Sequence, residues 1–244
     1  MRALCIALLA ACQEQVDDVD GVFYNGDGRR VHCAINIDTV ARNEIDSIDG
    51  ALDRAAERGE VVELFAHSPG GTVPLVRLRH VLEGARDRGL RFVTYPELAN
   101  GAAGPGIAMS FDDHTVREWL AARDMFAEVG AHVTFFVSRY PTMSDEQRAG
   151  LKTLAADGHA IEAHSVDHLR APQYVEERGL TAYLDDDVLP GLDAMEADGF
   201  PITTFAYPFG ARTEETDRAL LRHVKVLRSV SFSFTGLVSS PCPH

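Results

Sequence analysis

The chain has 244 residues, 45% of them hydrophobic, which is enough for one large domain or two small ones with a sizeable core. Its formal net charge of −14 argues against a nucleic-acid partner, because phosphate binding needs clustered lysine and arginine. No apolar run in the sequence approaches the about 20 residues of a membrane-spanning helix.

The first 30 residues are interpreted as a processing signal and a tether. Arg2 precedes an apolar run, Ala3–Ala11, and Leu9–Cys12 (Leu-Ala-Ala-Cys) resembles a bacterial lipobox, whose cysteine is lipidated. We therefore expect a lipoprotein signal peptide at 1–11, a flexible, acidic and glycine-rich tether at 12–30, and a folded domain at 31–244. Lipidation of Cys12 would anchor the protein in the bacterial cell envelope, in the periplasm or at the cell surface. The alternative is a truncated or misassigned start.

After residue 30, strand-like runs alternate with helical patterns. Val31–Ile37 carries apolar residues at period two, while Glu44–Arg58 has helical spacing and stops at Gly59. The other predicted strands are Val61–Ala66, Leu90–Tyr95, Ile107–Phe111, His132–Val137, His159–Ala163, Ile202–Ala206 and Val224–Ser229. The other predicted helices are Val73–Arg88, Val116–Val129, Ser144–Ala156 and Glu214–His223, with a broken helical region at 173–198.

The alternation predicts the fold class. Strands that alternate with helices imply parallel strands joined by right-handed crossovers. Seven or eight such units predict a single distorted α/β barrel, a (β/α) barrel, with a doubly wound open sheet as the alternative. The glycine-rich stretch Pro96–Gly106 interrupts the pattern and is predicted as a flexible connection without helix.

Unusual polar residues follow five of the predicted strands. In (β/α) barrels the chemistry lies at the C-terminal ends of the strands. The residues found there are Asp38, His67, the pair Asp112 and Asp113, His164, and Tyr207. Chance explains any one of these placements, but agreement among five strands argues for a common site.

Two of these strand ends suggest a metal site. Asp112 and Asp113 repel each other at the end of a buried strand, and a cation or a proton relieves such repulsion. His164 and His168 stand at i and i+4, so on a helical turn they would face the same way and suit one metal ion. An aspartate and two histidines, with room for water, outline a hydrolytic metal site. A solvated Asp-Asp turn is the simpler alternative for the first pair.

Four short stretches resemble the signature motifs of the polysaccharide deacetylases, the NodB-homology proteins of carbohydrate esterase family 4. They are Ser110–Asp113 (Ser-Phe-Asp-Asp), His164–His168 (His-Ser-Val-Asp-His), Tyr207–Gly210 (Tyr-Pro-Phe-Gly) and Leu64–His67 (Leu-Phe-Ala-His). The first two together are specific, the other two are weak alone, and the resemblance covers most of residues 31–230. It implies a distorted (β/α) barrel that removes N- or O-acetyl groups from sugar polymers with a divalent metal, often zinc.

The resemblance also implies roles for individual residues. Asp113, His164 and His168 would bind the metal, expected to be Zn²⁺ with Co²⁺, Ni²⁺ or Mn²⁺ as alternatives. Asp112 would be the general base and His67 the general acid, although His67 taken alone is more simply a strand-end histidine.

Three further residues have roles only by this resemblance. The backbone N–H of Phe209 would help to hold the oxyanion, and Tyr207 would lie at the substrate. Asp38 would support the catalytic histidine, although its local motif fits poorly.

The sequence departs from the family pattern in two ways. The motif of the general-acid histidine normally comes last, yet His67 precedes Asp112, which suggests a circular permutation with Pro96–Gly106 joining the ancestral termini. In the third motif, Ala206 stands where the family often has an arginine that orients the general base. Phe209 in the same motif stands where a tyrosine is common.

The residues and the family resemblance leave three candidate functions. The leading one is a metal-dependent deacetylase that acts on a cell-envelope or extracellular polysaccharide, such as peptidoglycan or a chitin-like N-acetylhexosamine polymer. The alternatives are an amidase or esterase of a small acylated molecule and a non-catalytic carbohydrate-binding protein. The combination of a base, an acid and a metal triad disfavours the last of these.

The cysteines add one structural expectation. Export would place Cys33 and Cys242 in an oxidising compartment, whereas Cys5 leaves with the signal and Cys12 carries the lipid. A Cys33–Cys242 disulfide is therefore predicted, with two unrelated buried thiols as the alternative.

Overall fold

Seven parallel strands close into a barrel in the computed structural model, which describes Val16 and residues 19–231. The described residues form nine strands, of which β1 and β4 lie outside the barrel. They are β1 (Phe23–Tyr24), β2 (Val31–Asn36), β3 (Val61–Ala66), β4 (Arg91–Phe92), β5 (Gly106–Asp113), β6 (Thr134–Val137), β7 (Ala160–Ala163), β8 (Thr204–Ala206) and β9 (Val226–Val230). The helices are α1 (Ile45–Arg58), α2 (Leu75–Asp87), α3 (Tyr95–Ala99), α4 (Val116–Ala121), α5 (Arg123–Val129), α6 (Asp145–Ala156), α7 (Ala171–Arg178), α8 (Leu180–Tyr183), α9 (Leu189–Ala197) and α10 (Glu214–Leu220).

The ring runs β2, β3, β5, β6, β7, β8, β9 and back to β2. Pairing of β3 with β5, from Val61 opposite Gly106 to Ala66 opposite Phe111, closes it and excludes the open sheet. The predicted barrel is therefore confirmed, with seven strands. Two short strands lie outside the ring, where β1 pairs antiparallel with β3 and β4 borders the first residues of β5.

Local sequence explains most of the elements. Strands β3 and β6 are buried along their whole length, as expected for strands covered on both faces. Helix α1 buries Ile48, Leu52 and Ala55 at helical spacing and stops at Gly59, whose φ of 69° suits a residue without a side chain. These apolar stripes hold the helices against the outside of the barrel.

The prediction of a helix-free connection at Pro96–Gly106 is wrong at its start, because α3 begins at Tyr95. Thr94 and Glu97 form a capping box, and Pro96 occupies the first turn, where a missing N–H leaves no bond unmade. The same capping box ends the predicted strand Leu90–Tyr95 early. The long helix predicted at Val116–Val129 is instead two helices, α4 and α5, that meet at Ala122.

The flexible tether predicted for residues 12–30 is also partly wrong. Residues 20–24 form a short 3-10 helix followed by β1, and Val22, Phe23 and Tyr24 are buried. The guanidinium of Arg54 lies 3.7 Å from the centroid of the Phe23 ring. Burial of these three apolar side chains holds the segment against the domain, although acidic and glycine residues surround it in the sequence. The predicted signal peptide and Cys12 lie outside the described residues.

The predicted disulfide stays a prediction. Cys33 is buried on β2, and Cys242 lies outside the described residues. In the part of the chain that the structure describes, no helix is long and apolar enough to cross a membrane.

Candidate active site

A pocket of about 470 Å³ opens at the C-terminal ends of the barrel strands. The side chains that carry its chemistry are His67, Asp112, Asp113, His164, His168, Arg170, Phe209 and Arg228. His67 and Asp112 thus line one pocket despite their reversed order in the sequence. Asp38 lies buried behind His67, so four of the five strand ends singled out in the sequence meet here.

Asp113, His164 and His168 form a group that fits a metal ion. One ligand atom from each lies within 4.8 Å of the others, and Asp113 Oδ1 is 3.2 Å from His168 Nε2 and 3.9 Å from His164 Nε2. His164 Nδ1 lies 2.8 Å from the carbonyl oxygen of Ala206. This bond fixes the ring with its proton on Nδ1 and leaves the Nε2 lone pair directed at the group.

The charges in this group also suit a cation. Burial lowers the pKa of His164 to about 4, so the ring is neutral and ready to act as a ligand. Burial opposes ionisation of Asp113, but its hydrogen bond to His168 and the nearby imidazoles of His164 and His67 hold the pKa of Asp113 well below its usual range. A carboxylate and neutral imidazoles are the donors that zinc-like ions take.

The histidines do not share a helical turn, and that expectation is wrong. His164 and Ser165 follow β7 in an irregular loop, and Ser165 and His168 have positive φ values of 64° and 58°. Asp113 at the end of β5 has a φ of 85°. Left-handed backbone is unusual for such residues and clusters at functional sites. The loop conformation, and not helical periodicity, turns both imidazoles toward Asp113.

Asp112 has a partner that the sequence analysis missed. It is buried and makes an ion pair with Arg228 of β9. The guanidinium of Arg228 lies between two rings inside the barrel, 4.8 Å from the centroid of Phe65 and 5.1 Å from that of Phe136. The pairing keeps a buried carboxylate compensated, and the two rings fix the cation in place.

The position of Arg228 on β9 explains how the third motif can carry Ala206 in place of an arginine. Ala206 of β8 stands opposite Arg228 of β9 in the strand register. Residues opposite each other on neighbouring strands point to the same side of the sheet. The Arg228 guanidinium therefore enters the barrel next to Ala206, the position at which the family often has an arginine. The available signal was an arginine within the predicted strand Val224–Ser229, directly after Val226 and Leu227.

His67 is held by a chain of hydrogen bonds. Its Nδ1 contacts the Asp38 carboxylate, whose Oδ1 also accepts from Thr72 Oγ1 at 2.7 Å. Burial opposes protonation, but the Asp38 hydrogen bond and the charges of Asp112 and Asp113 raise the pKa of His67 to about 9. The His67 ring is therefore protonated at neutral pH.

Tyr207 and the 3-10 turn Pro208–Gly210 that follows it lie in different surroundings. Tyr207, predicted to lie at the substrate, has its side chain buried toward α10, with its hydroxyl 2.9 Å from Asp217 Oδ1. Phe209 lies at the pocket with 46% of its surface exposed, and its ring centroid is 4.6 Å from that of His168. Its φ of 58° carries the chain into Gly210, where a Cβ would lie 2.7 Å from the backbone nitrogen of Val230.

Comparison with known families now identifies the class. A family model described as polysaccharide deacetylase matches residues 99–225, and the chain belongs to that family. It is accordingly a hydrolase of the class that acts on carbon–nitrogen bonds other than peptide bonds. The match includes Asp112, Asp113, His164 and His168, while His67 lies before it.

Solved structures agree on the fold. A Streptococcus pyogenes deacetylase, PplD, in complex with acetate has a TM-score of 0.57 at 14% identity, over 70% of this chain and 92% of that one. IcaB from Ammonifex degensii also has a TM-score of 0.57, at 20% identity, over 76% of this chain and 92% of that one. No curated protein matches the chain.

Proposed function

We propose that this protein is a metal-dependent deacetylase that removes acetyl groups from an acetylated cell-envelope or extracellular polysaccharide. The observation that carries the proposal is a triad of metal-type ligands beside a paired base and a paired acid, all at one pocket. Asp113, His164 and His168 would hold the ion, with zinc expected from the donor set. Once bound, a divalent ion polarises an acyl oxygen and lowers the pKa of water.

Asp112 is proposed as the general base. It lines the pocket next to Asp113, where its carboxylate can accept a proton from the attacking water, and it makes an ion pair with Arg228. Arg228 also fixes the direction of the carboxylate, because the guanidinium is buried against the rings of Phe65 and Phe136.

His67 is proposed as the general acid. Proton donation to a departing amine requires a protonated ring, and the raised pKa of His67, about 9, provides one at neutral pH. Asp38 and Thr72 hold the ring with its Nδ1 turned inward, so the other ring nitrogen is the one that can face the substrate. The backbone N–H of Phe209 is proposed to stabilise the oxyanion, an effect worth roughly 2.7–4 kcal/mol per donor in other enzymes.

The open mouth of the pocket favours a polymer over a small metabolite. Phe209 and Val40 border it with 46% and 73% of their surfaces exposed. Exposed apolar side chains at a catalytic mouth suit the faces of sugar rings. A small acylated substrate is the second candidate, and an envelope location through lipidated Cys12 is part of the proposal.

Acetate release tests the proposal. Purified protein should contain about one divalent ion and should release acetate from at least one of chitin oligomers, acetylated xylan and peptidoglycan. Asp112→Asn should keep the metal, by elemental analysis, and lose acetate release. Metal-loaded wild-type protein that releases acetate only from small acylated compounds would favour the second candidate.

We also infer that the motif order arose by circular permutation. Strand β9, the last described strand, pairs in parallel with β2, so the present ends of the domain open between two neighbouring strands. The family match begins at residue 99, within the segment proposed to join the ancestral termini. A variant that joins residues 231 and 19 by a short linker and opens at 102–103 should fold and keep its metal if this is right.

A further inference from the structure

The loop between β7 and α7 carries both metal-type histidines in a strained conformation. Residues 164–169 have no regular secondary structure, and two of them, Ser165 and His168, are non-glycine residues with positive φ. Such backbone persists only where the surroundings over-determine it. The His168 amide donates to Ser165 Oγ at 3.0 Å and the Arg139 amide donates to the Ser165 carbonyl at 3.2 Å, which leaves the Val166 and Asp167 amides in need of acceptors.

Asp187 supplies that support from a different element. It is fully buried, and its Oδ1 accepts a hydrogen bond from the Asp167 amide at 2.5 Å. Its own carbonyl accepts from the Val166 amide at 2.8 Å. The Ser165 hydroxyl and the Leu169 amide lie near the carboxylate and act to lower its pKa, although its Oδ2 makes no hydrogen bond within the described residues. One residue thus contacts most of the loop.

The position of Asp187 depends on a π-helical turn, Leu184–Val188, between α8 and α9. A π turn holds more residues than an α turn, and one extra residue rotates those that follow by about 100°. Asp187 is thereby turned inward, while its neighbours Asp185 and Asp186 are exposed. Single π turns often occur at functional sites.

Burial of the Asp187 carboxylate costs free energy unless the loop donates hydrogen bonds to it. Burial raises the pKa of Asp187, and the hydrogen bonds from the loop oppose that rise. The dependence is mutual, because removal of the carboxylate would leave the Asp167 amide without its acceptor. The loop and the carboxylate therefore stabilise each other.

We propose that Asp187 is a positioning residue that holds loop 164–169 so that His164 and His168 face Asp113 before the metal binds. It touches neither substrate nor metal, and it acts on metal affinity through the loop. The inference rests on the proposed metal site, and it adds a residue that lies outside all four motifs. Partners of this outer kind typically change metal affinity by about 10–100-fold.

Zinc affinity of full-length protein, measured by competition with a fluorescent chelator, tests the proposal. Asp187→Ala should weaken zinc binding by about 10–100-fold, and Asp187→Asn, which keeps an acceptor, should weaken it less. Asp185→Asn is the matched control, because it removes the same charge from an exposed residue of the same turn, and it should bind as wild type.

Amide hydrogen exchange provides a second readout that does not depend on metal. The Val166 and Asp167 amides should exchange faster in Asp187→Asn than in Asp185→Asn, and that comparison carries the test if Asp187→Ala does not fold. Wild-type zinc affinity and wild-type exchange in Asp187→Asn would overturn this inference alone. Failure of wild-type protein to bind zinc would overturn the proposed metal site and this inference together.

Discussion

The two sides of the pocket differ in how their charges are balanced. On one side, Asp113, His164 and His168 crowd together, and no lysine or arginine of the described chain pairs with them. On the other side, Asp112 contacts Arg228 and His67 contacts Asp38. Each carboxylate of the acid–base side therefore has a basic partner, although Nε and Nη1 of Arg228 make no hydrogen bond within the described residues, whereas the metal side gathers three ligands suited to a cation. Changes on the two sides should consequently appear in different measurements.

The largest expected effect is on the metal side. His168→Ala removes one of three ligands and should weaken metal binding by more than about 100-fold, the upper end of what outer partners contribute. Elemental analysis after dialysis measures the loss, and acetate release should fall with it. His80→Ala is the control, because His80 is an exposed histidine paired with Asp49. Full metal retention in His168→Ala would rule out this ligand set.

The next effect should appear in stability. Arg228→Met leaves the Asp112 carboxylate buried without its partner, and breaking a buried ion pair costs about 3–5 kcal/mol. Denaturant unfolding measures the change, and kcat should fall because the Asp112 carboxylate loses the ion pair that orients it. Arg86→Met, at an exposed surface pair, should change the free energy of unfolding by less than about 0.5 kcal/mol.

A double substitution sharpens this prediction. Ala206→Arg combined with Arg228→Ala moves the guanidinium one strand over, to the position opposite in the register. It should recover part of the kcat that Arg228→Ala alone loses. If the double variant is no better than Arg228→Ala, the two positions are not equivalent supports for Asp112.

A smaller effect should appear in the pH profile. Asp38→Asn removes a charge that raises the pKa of His67, so the pKa should fall from about 9 toward its ordinary value. Because the general acid works protonated, the alkaline limb of kcat should move to lower pH, by about 1 unit or more. A bound divalent cation lowers the pKa in wild type and variant alike, so the difference between them is the measurement. An unchanged limb would remove His67 from the role of acid.

The smallest effect should come from Thr72→Val. Thr72 donates to Asp38 Oδ1 at 2.7 Å but is itself exposed. Removal of this hydrogen bond should therefore lower the free energy of unfolding by about 1 kcal/mol or less. The alkaline limb should shift in the same direction as in Asp38→Asn and by less. A shift as large as that of Asp38→Asn would mean that Thr72, and not the charge of Asp38, dominates the pKa of His67.

Local sequence was sufficient for much of this protein. Hydrophobic runs alternating with helical stripes predicted the barrel, since burial on both faces requires continuous apolar strands. Asp113 and His164 were found because each stands where a strand ends, and parallel strands bring those ends together. His168 was found because it follows His164 by four residues in the same motif. The helix at Tyr95–Ala99 was missed although its capping box is local, because the glycine-rich residues after it dominated the interpretation.

The supporting contacts join residues that are far apart in the sequence. Arg228 reaches Asp112 across 116 positions of the chain, and Asp187 reaches Asp167 across 20. Such pairs depend on strand register and on one π turn, neither of which leaves a periodic trace in the sequence. Tyr207 shows the same limit, because its motif suggested the substrate while packing turned its side chain toward α10. Most residues proposed to carry the chemistry could be read from the ends of the predicted strands, whereas the residues that hold them could not, because supporting contacts form between strands and loops distant in the chain.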